Sequence, residues 1–423
     1  MTTTSAQDKF RRKALQVKEA QEMILPYAVR LQSEIVALPD AFGRVLAEPV
    51  AAPHPYPHFR RSGMDGFAIL SADTADCRAD HPVLLEVVDE IPCGSLPNVK
   101  LGPGKAARIM TGAKVPDEAD AVVMFEMTET VKQEGKTYIR LIREIETGKN
   151  ITPVGLELAA GDVILEPGRK LSAGEISVLA TFGLHRVSVM KRPRIAVFST
   201  GSELLRIDEP LQDGRIRNSN TYMLLSQIRE AGGEPYIFEA IEDDLAQAKA
   251  RVEAAFAEYD AVVTTGGVSV GDFDIMADLV SGSGVDMLFN KVTMRPGSVT
   301  TAAVKDGKLL FALSGNPGAC FVGFELFVRP AIGRMLGIPQ PFLPELTAEL
   351  GRPYGKINNF TRFVRGRLEV REGKLYAYPA ELDESGVMIT IKDSDALIVI
   401  PPANEGKEAG ESVTVLKLPG GAV

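Results

Sequence analysis

The sequence predicts a multi-domain protein in which a central α/β domain is combined with β-rich domains. Between about residues 191 and 337, apolar segments ending in glycine-rich turns alternate with helical segments, the pattern of a doubly wound, mostly parallel sheet. Short β-prone segments separated by Gly and Pro occupy residues 58–170. Similar short β-prone segments after Pro339 predict a small β-barrel-like C-terminal domain. At 423 residues, the chain is long enough for about three domains, or four small ones.

Changes in composition and in the pattern of strand and helix segments divide the chain into four predicted domains. The Pro-aromatic segment AAPHPYPHF and the change at Arg192 suggest two of the boundaries. The predicted domains are a discontinuous N-terminal linker domain (1–52 and 159–190), an inserted β-rich domain (53–158), the α/β domain (191–337) and the C-terminal barrel (338–423).

Two helices outside the α/β domain have clear sequence signals. Val17, Ala20 and Ile24 recur at helical spacing, which predicts a helix ending before Pro26. The segment SAGEISVLATFG predicts a second helix, because Ser172 and Glu175 have the spacing of a capping box.

The composition is that of a globular protein and disfavours nucleic-acid binding. Hydrophobic residues make up 45% of the chain and charged residues 24%, and the formal net charge is −9. Nucleic-acid binding depends on a cationic surface, which an acidic chain is poorly suited to provide. An anionic substrate would therefore have to be held locally, by a few Lys and Arg residues.

Cysteine and histidine usage gives no sign of a disulfide framework or a structural zinc site. The chain has three cysteines, Cys77, Cys93 and Cys320, in no C-x-x-C pair, and four histidines. Cys320 lies on an apolar helical segment and is expected to pack in a core. The N-terminal segment lacks the apolar region of a secretory signal, and no apolar run approaches about 18 residues. We therefore expect a cytoplasmic protein without membrane spans.

Three glycine-rich turns predict the position of a ligand site. The turns STGSEL (199–204), TTGGVSVGDFD (264–274) and LSGNPGA (313–319) each follow an apolar strand. In a parallel sheet they would lie together at the C-terminal edge, where backbone amides and helix N-termini bind anions. The sequence thus favours an anion or nucleotide-like ligand here. The alternative is that each glycine serves only the geometry of a strand-to-helix turn.

Acidic residues occur at the same predicted edge. Glu203 follows the first turn, Asp243 the strand IFEAI, and Asp272 and Asp274 the second turn. Carboxylates beside phosphate-binding amides suggest an intervening cation, and magnesium (Mg²⁺) binds one or two carboxylates together with phosphate oxygens. The alternative is that each acid caps a helix, and for Asp272 the two interpretations are evenly balanced.

Further candidates lie in two other segments. Lys291 and Arg295 precede the Pro296–Gly297 turn, where they form either an oxyanion clamp or a solvated surface pair. Asp65 lies in the unusual block RRSGMDGFAI, where an Asx turn is the simpler interpretation.

Taken together, these blocks resemble the MoeA family, the molybdopterin molybdenumtransferases that include the E domain of gephyrin. The resemblance covers nearly the whole chain. It is carried by SGMDGFA (62–68), RIMTGAKVP (108–116), STGSEL, GRIRNSN (214–220), TGGVSVGDFD, MRPG and SGNPGACFVGFELFVRP. The order and spacing of so many blocks make it highly specific.

The resemblance implies a fold and an activity. The α/β domain would be MoaB/MogA-like, and the protein an elongated homodimer whose active site lies in a cleft between subunits. The N-terminal linker domain would serve dimerisation. The enzyme would be magnesium-dependent: it would take adenylylated molybdopterin and molybdate, cleave the pyrophosphate bond, release AMP and leave molybdenum on the dithiolene. Transient contact with the molybdopterin adenylyltransferase is also expected.

The same resemblance implies roles for individual residues. The catalytic positions would be Asp65, Thr111, Glu203, Lys291 and Arg295. The metal-handling acids would be Asp243, Asp274 and Glu203. Substrate and cofactor contacts are expected from Thr200, Gly201, Ser219, Asn220, Gly266, Gly267, Ser269, Gly271, Pro296, Gly297, Gly315, Asn316, Pro317, Arg365 and Ser385. In this set, Arg365 and Ser385 match positions tied to molybdate.

The chain also departs from the better-known members of the family. Arg295 and Ser298 stand where those members carry lysines, and Arg is not equivalent to Lys in geometry. Thr152 stands in place of an arginine, Glu157 in place of an aspartate and Asn218 in place of a frequent aspartate.

Two alternative functions remain open at the level of sequence. The loss of basic residues at Ser298 and Thr152 raises the alternative of the same transfer with tungstate. A non-catalytic scaffold that binds the pterin is the second alternative, and the retained acids speak against it because clustered like charges are costly.

Overall fold

The structure is a computed structural model that describes residues 14–238, 245–266, 284–357 and 359–420. The chain divides into two compact units. Unit 1 comprises Met1–Glu48, Pro167–Ile176 and His185–Val423, and unit 2 comprises Pro49–Glu166 and Ser177–Leu184. Among the described residues, no helix combines the length and apolar character needed to cross a bilayer. The four-domain division of the sequence stays a prediction.

The N-terminal part of unit 1 begins with the predicted amphipathic helix. Helix α1 (Val17–Ile24) buries Ala20 and Ile24, and Leu25–Tyr27 continue as a 3₁₀ turn. Strand β1 (Ser33–Ala37) follows, with a second 3₁₀ turn at Leu38–Ala41.

Unit 2 consists of short strands, as the Gly- and Pro-rich sequence predicts. They are β2 (Val50–Ala51), β3 (Arg61–Ser62), β4 (Gly66–Ile69), β5 (Val83–Ile91), β6 (Lys105–Ile109), β7 (Ala121–Met124), β8 (Glu129–Gln133), β9 (Lys136–Leu141), β10 (Ile151–Thr152) and β11 (Val163–Leu165). Six of them form a sheet in the order β7-β4-β6-β5-β9-β8. Its pairs are antiparallel except β5–β6, which is parallel. Short 3₁₀ turns lie at Ser71–Thr74 and Phe125–Met127.

The helix predicted from the capping-box spacing is α2 (Ala173–Thr181). The Glu175 carboxylate accepts the backbone N–H of Ser172 at 2.9 Å and also the Ser172 hydroxyl, and the Ile176 N–H donates to the Ser172 carbonyl at 3.0 Å. The Ser172 hydroxyl therefore binds the glutamate side chain directly. Strand β12 (Arg186–Met190) then pairs antiparallel with β1.

The α/β part of unit 1 is built on a six-stranded sheet in the order β16-β13-β17-β21-β20-β18. The strands of this region are β13 (Arg194–Ser199), β14 (Leu204–Leu205), β15 (Ile216–Arg217), β16 (Glu234–Ile237), β17 (Ala261–Thr265), β18 (Asp286–Phe289), β19 (Met294–Arg295), β20 (Thr301–Lys305) and β21 (Lys308–Leu313). The first four strands in the sheet order are parallel, and β20 pairs antiparallel with both of its neighbours, β21 and β18. The prediction of a mostly parallel sheet is confirmed.

Helices cover this sheet. They are α3 (Asn220–Glu230), α4 (Leu245–Glu258), α5 (Pro317–Gly323) and α6 (Arg329–Met335), with a π-helical turn at Phe324–Val328 between the last two. Buried residues of β13, β17 and β21 pack against α3, α5 and α6 on one face and against α4 on the other. The alternating strands and helices of the sequence therefore produce the predicted double-sided packing.

The C-terminal part of unit 1 is the predicted small barrel. Its strands are β22 (Glu345–Leu350), β23 (Thr361–Arg371), β24 (Lys374–Pro379), β25 (Ala396–Ile400) and β26 (Ser412–Lys417), and a 3₁₀ turn lies at Ile389–Asp393. The pairings β23–β24–β22–β26–β25–β23 close a five-stranded ring. Alternate residues of the strands fill its interior. The short strand β19 pairs with β23 and so joins the barrel to the α/β part.

Candidate functional site

Three strand ends that the sequence predicted to lie together are neighbours in the sheet. Ser199 of β13 pairs with Thr265 of β17, which in turn pairs with Leu313 of β21. The strands are parallel, so the turns that follow them emerge at one edge. The shared edge of the three strand ends is confirmed.

Gly266 allows two of these turns to approach each other closely. Its φ is +87°, and a Cβ at this position would collide with the carbonyl oxygen of Thr200. Any larger residue would therefore push the Thr200–Gly201 turn away. The glycine therefore has a steric role at this position that does not depend on a ligand, and its part in ligand binding stays a prediction.

Asn220 connects the strand ends from the start of α3. Its side chain Nδ2 donates to Thr265 Oγ1 at 2.9 Å and to the Gly315 carbonyl at 2.8 Å, and the residue is buried. Its Oδ1 and the Thr200 hydroxyl are buried atoms without a hydrogen-bond partner among the described residues. Buried polar atoms are normally paired, so these two are available to a ligand or to water. Ser219, also predicted in the site, precedes α3 as its N-cap.

The start of α5 meets the barrel. The backbone N–H of Gly318 donates to the Ser385 carbonyl at 2.8 Å, and Asn316 Nδ2 donates to Ser385 Oγ at 3.3 Å. Pro317 is the first residue of α5, where a missing N–H costs nothing. The structure therefore brings together the predicted residues Asn316, Pro317 and Ser385.

Arg365 on β23 reaches the same place and is a buried cation with unused donors. It is 1% exposed, and its Nη2 donates to the Glu384 carbonyl at 3.2 Å. Its Nε and Nη1 have no partner among the described residues. Burial lowers the pKa of Arg365 below its usual value, although the nearby carboxylates of Asp383 and Glu384 oppose that shift. A guanidinium left half-satisfied in the interior is a strong candidate for binding an anion.

Gly318 provides the space for this guanidinium. A Cβ on Gly318 would overlap Arg365 Nη1, so only glycine allows the side chain to lie against the start of α5. Gly318 is part of the block SGNPGACFVGFELFVRP, but it is absent from the predicted site residues because its role depends on a side chain 47 positions away. Nothing short of the three-dimensional structure could have identified it.

The turn that carries Lys291 and Arg295 is closed by a hydrogen bond from the Val292 N–H to the Ser298 carbonyl at 2.8 Å. Lys291 is half-buried, and the exposed Arg295 places its guanidinium 5.7 Å from the centre of the Phe360 ring. Among the described residues, neither side chain forms an ion pair that would neutralise it. The clamp interpretation of Lys291 and Arg295 stays a prediction. Pro296 and Gly297 lie within this turn.

The predicted metal-handling acids are only partly described. Glu203 is exposed, and its carboxylate lies over Gly201, close to the place a Cβ would occupy. Asp243, Asp274, Asp272, Gly267, Ser269 and Gly271 lie outside the described residues. Within the described ranges, no group of three or more His, Cys, Asp or Glu side chains could hold a metal ion.

In unit 2, Asp65 and Thr111 form a close pair. Asp65 Oδ1 accepts the Thr111 backbone N–H at 2.6 Å and the Thr111 hydroxyl at 2.8 Å. The backbone bond, followed by the hydroxyl, holds the pKa of Asp65 below its usual value. The carboxylate thus binds a residue 46 positions away, where an Asx turn would be local. Glu157, one of the departures, forms an ion pair with Arg61 at 3.0 Å in the same unit.

Asn218, another departure, has a structural partner in the α/β part. Its Nδ2 donates to Ser199 Oγ at 2.8 Å, and its Oδ1 accepts the Thr221 N–H at 3.3 Å. An ionised aspartate could accept the Thr221 N–H, but it has no N–H group to donate to Ser199 Oγ. The amide therefore ties the end of β13 to the first turn of α3.

Family models match most of the chain. The model described as "MoeA N-terminal region (domain I and II)" matches residues 15–183. The one described as "Probable molybdopterin binding domain" matches residues 196–334, and the one described as "MoeA C-terminal region (domain IV)" matches residues 347–418.

Similar proteins span nearly the same length. The molybdopterin molybdenumtransferase of Bacillus subtilis (strain 168) is 44% identical over 406 residues, which cover 96% of this chain and 94% of that protein. Its counterpart in Staphylococcus aureus (strain MRSA252) is 40% identical and covers 96% of both chains. A crystal structure of a molybdopterin biosynthesis MoeA protein from Pyrococcus horikosii has a TM-score of 0.81 at 30% identity, covering 96% of this chain and 99% of that one. The chain therefore belongs to the MoeA family, the molybdopterin molybdenumtransferases of molybdenum cofactor biosynthesis.

Proposed function

We propose that this transferase takes adenylylated molybdopterin and molybdate, inserts molybdenum into the dithiolene and releases AMP. The observation that carries the proposal is Arg365: a buried guanidinium, placed against the start of α5, with two nitrogens that have no partner in the part of the chain that the structure describes. Such a group needs an anion to compensate its charge, and molybdate is a compact dianion. Ser385 and Asn316, joined by a hydrogen bond at 3.3 Å, supply polar groups beside it.

Each part of the sheet edge has a task in this proposal. The Thr200–Gly201, Gly266 and Gly315 turns would bind the pterin and the phosphates through backbone amides. Asn220 holds two of these turns together through Thr265 and Gly315. Lys291 and Arg295 would stabilise the charge that develops on the diphosphate as its bond breaks. In atom balance, water adds at phosphorus and AMP leaves, while the two dithiol sulfurs bind molybdenum and their two protons carry one oxo group of molybdate away as water.

Magnesium is part of the proposal. Among the described residues, Glu203 fits a Mg²⁺ ligand, because it has an exposed carboxylate at the sheet edge. Mg²⁺ usually binds only one or two carboxylates together with phosphate oxygens. Glu203, Asp243 and Asp274 would hold the ion, which would supply charge neutralisation of the diphosphate. Asp65 stays a predicted catalytic residue of unit 2, where the hydrogen bonds from Thr111 lower its pKa and favour the ionised carboxylate.

The assembly expected for the family is also proposed here. A homodimer is supported by large apolar side chains exposed in the N-terminal part of unit 1, where Val29 is 64% exposed, Ile35 55% and Phe42 67%. A cytoplasmic location and transient contact with the molybdopterin adenylyltransferase stay predictions.

The test is AMP release by the purified chain supplied with adenylylated molybdopterin, Mg²⁺ and molybdate. Arg365→Ala is expected to lower the rate about a hundredfold at limiting molybdate, because a hydrogen bond to a charged group contributes about 1.5–3 kcal/mol. The matched control is Arg367→Ala, on the same strand, where the arginine is exposed and pairs with Glu369. No AMP from the parent despite bound pterin would favour a scaffold and overturn the proposal. Equal rates in Arg365→Ala and the parent would overturn the role given to Arg365.

A further inference from the structure

Beside the proposed oxyanion site, a buried carboxylate is bound by three side-chain donors. Asp383 is 6% exposed, and its carboxylate accepts the Tyr354 hydroxyl and the Lys356 ammonium and, at 3.3 Å, Arg362 Nη2. We refer to Tyr354, Lys356, Arg362 and Asp383 as the Asp383 cluster. None of its members is among the predicted site residues, because the cluster forms only when the barrel closes.

The cluster keeps Asp383 ionised and holds it in one orientation. Burial alone would raise the pKa of Asp383, but the bonds from Lys356 and Tyr354 outweigh it and leave that pKa below its usual range. A buried carboxylate with three hydrogen-bond donors is held firmly in place, because removing one donor leaves part of the buried charge without a partner.

The two residues after Asp383 form one wall of the oxyanion site. The Glu384 carbonyl accepts Arg365 Nη2 at 3.2 Å, and the Ser385 carbonyl accepts the Gly318 N–H at 2.8 Å. Lys356 binds the first of these two residues as well as Asp383, because its Nζ also donates to Glu384 Oε1 at 2.9 Å. The backbone position of residues 384 and 385 therefore depends on the Asp383 cluster.

The cluster also keeps the acids of this segment occupied. The carboxylates of Asp383 and Glu384 lie near enough to Arg365 for their negative charges to act to raise its pKa. Both carboxylates bind Lys356, and neither accepts a hydrogen bond from Arg365 Nε or Nη1, which stay unpartnered among the described residues. The donors that an anion needs are thereby left open.

A second connection leads to the other cationic segment. Arg362 lies on β23 opposite Arg295 of β19 in the parallel pairing that joins the barrel to the α/β part. Its guanidinium binds Asp383, so the same cluster meets the strand that presents Arg295.

We propose that Asp383 is a positioning residue for oxyanion binding: through Lys356, Tyr354 and Arg362 it sets the 384–385 segment, which orients Arg365 and leaves two of its nitrogens open. The inference rests on the proposed function, because it assigns the oxyanion to Arg365. Asp383 itself does not touch the anion. Its loss should therefore act on oxyanion affinity, and little on the rate once the site is filled.

The experiment compares the full-length parent with Asp383→Asn, Lys356→Met and a control, Glu381→Gln. Glu381 is an exposed acid two residues before Asp383 and pairs with Arg352 at 3.1 Å. Tungstate and molybdate dissociation constants are measured by calorimetry, and KM for molybdate and kcat by AMP release. Thermal melting checks folding; Lys356 is half-exposed, so its variant covers the case in which Asp383→Asn does not fold.

We expect Asp383→Asn and Lys356→Met to raise the dissociation constants and KM about tenfold, the loss typical of an outer-sphere partner, with kcat within about twofold of the parent. Glu381→Gln should match the parent. A folded Asp383→Asn or Lys356→Met that binds both oxyanions as the parent does would overturn the inference, as would a fall in kcat with an unchanged KM. A parent that binds oxyanion without releasing AMP would overturn the proposed activity and leave the inference standing.

Discussion

Burying a guanidinium without full compensation costs free energy, and Arg365 shows where this chain accepts that cost. Each unpaired buried polar group costs about 1–3 kcal/mol. Arg365 has two such nitrogens among the described residues, and Gly318 is shaped to admit it. A side chain with only a structural role would be expected to have its nitrogens paired, and it would not require a glycine at position 318. The loss of folding stability that these unpaired nitrogens cause is expected for an arginine whose role is to bind an anion.

The three cysteines give a prediction at the same scale. Cys320 is fully buried, and burial raises its pKa to about 12, which leaves it as an unreactive thiol. Cys77 is also buried, whereas Cys93 is exposed and donates its S–H to the Thr111 carbonyl at 3.1 Å. We expect a thiol reagent to label the native chain once, at Cys93, and all three cysteines after unfolding.

Mass spectrometry of the labelled peptides checks the site, and Cys93→Ser serves as the control that should abolish fast labelling. Labelling of Cys320 as fast as Cys93 in the native chain would contradict its placement in the core.

Among the elements, helix α2 depends on a carboxylate at its first turn. The hydroxyl of Ser172, its N–H and then Arg169 lower the pKa of Glu175 from 4.5 to about 2. A group whose pKa is depressed by folding adds stability above its unfolded pKa, and that stability is lost as pH falls through the folded value. The contribution of Glu175 should therefore be complete above about pH 5 and disappear towards pH 2.

Urea unfolding of the parent and Glu175→Gln as a function of pH measures this contribution. The variant should be less stable at pH 7, and the difference in unfolding free energy should shrink between pH 5 and pH 2. The same substitution at the exposed Glu166 is the control. A difference that stays constant over this range would show that the carboxylate charge is irrelevant to the cap.

The helices that begin at the site are joined behind it by a buried polar network. Gln227 of α3 donates to Glu325 Oε1 at 2.8 Å, and Glu325 binds Arg329 within the segment that includes the π-helical turn. Arg329 also donates to Glu230 of α3 at 2.8 Å. Removing one partner of such a buried pair typically costs about 3–5 kcal/mol, so the network fixes α3 against the π-helical turn and α6.

For the molecule as a whole, the sequence was informative where local pattern decides the structure. The apolar strands that end in Gly201, Gly266 and Gly315 predicted the shared sheet edge, because periodicity and turn chemistry are local properties. The antiparallel pairing of β20 with β21 and β18, the short strand β8 and the parallel β5–β6 pair were not foreseen. Their pairing partners are chosen by packing between distant segments, which single-sequence pattern does not encode.

The site shows the same division. Family resemblance supplied Arg365 and Ser385, but not the reason they meet, which is the closure of the barrel against the start of α5. Asp383 and Gly318 were missed because their contacts span tens of residues. The predicted metal role of Asp243 and Asp274 stays a prediction, since both lie outside the described residues.

The central claim is that the buried guanidinium of Arg365 binds the oxyanion. Crystals of the parent soaked with tungstate, measured at the tungsten absorption edge, test it most directly. We expect an anomalous peak within hydrogen-bond distance of Arg365 Nε or Nη1, beside Ser385 and the start of α5. A tungsten peak bound elsewhere in the crystal, with Arg365 contacting only protein groups, would contradict the account.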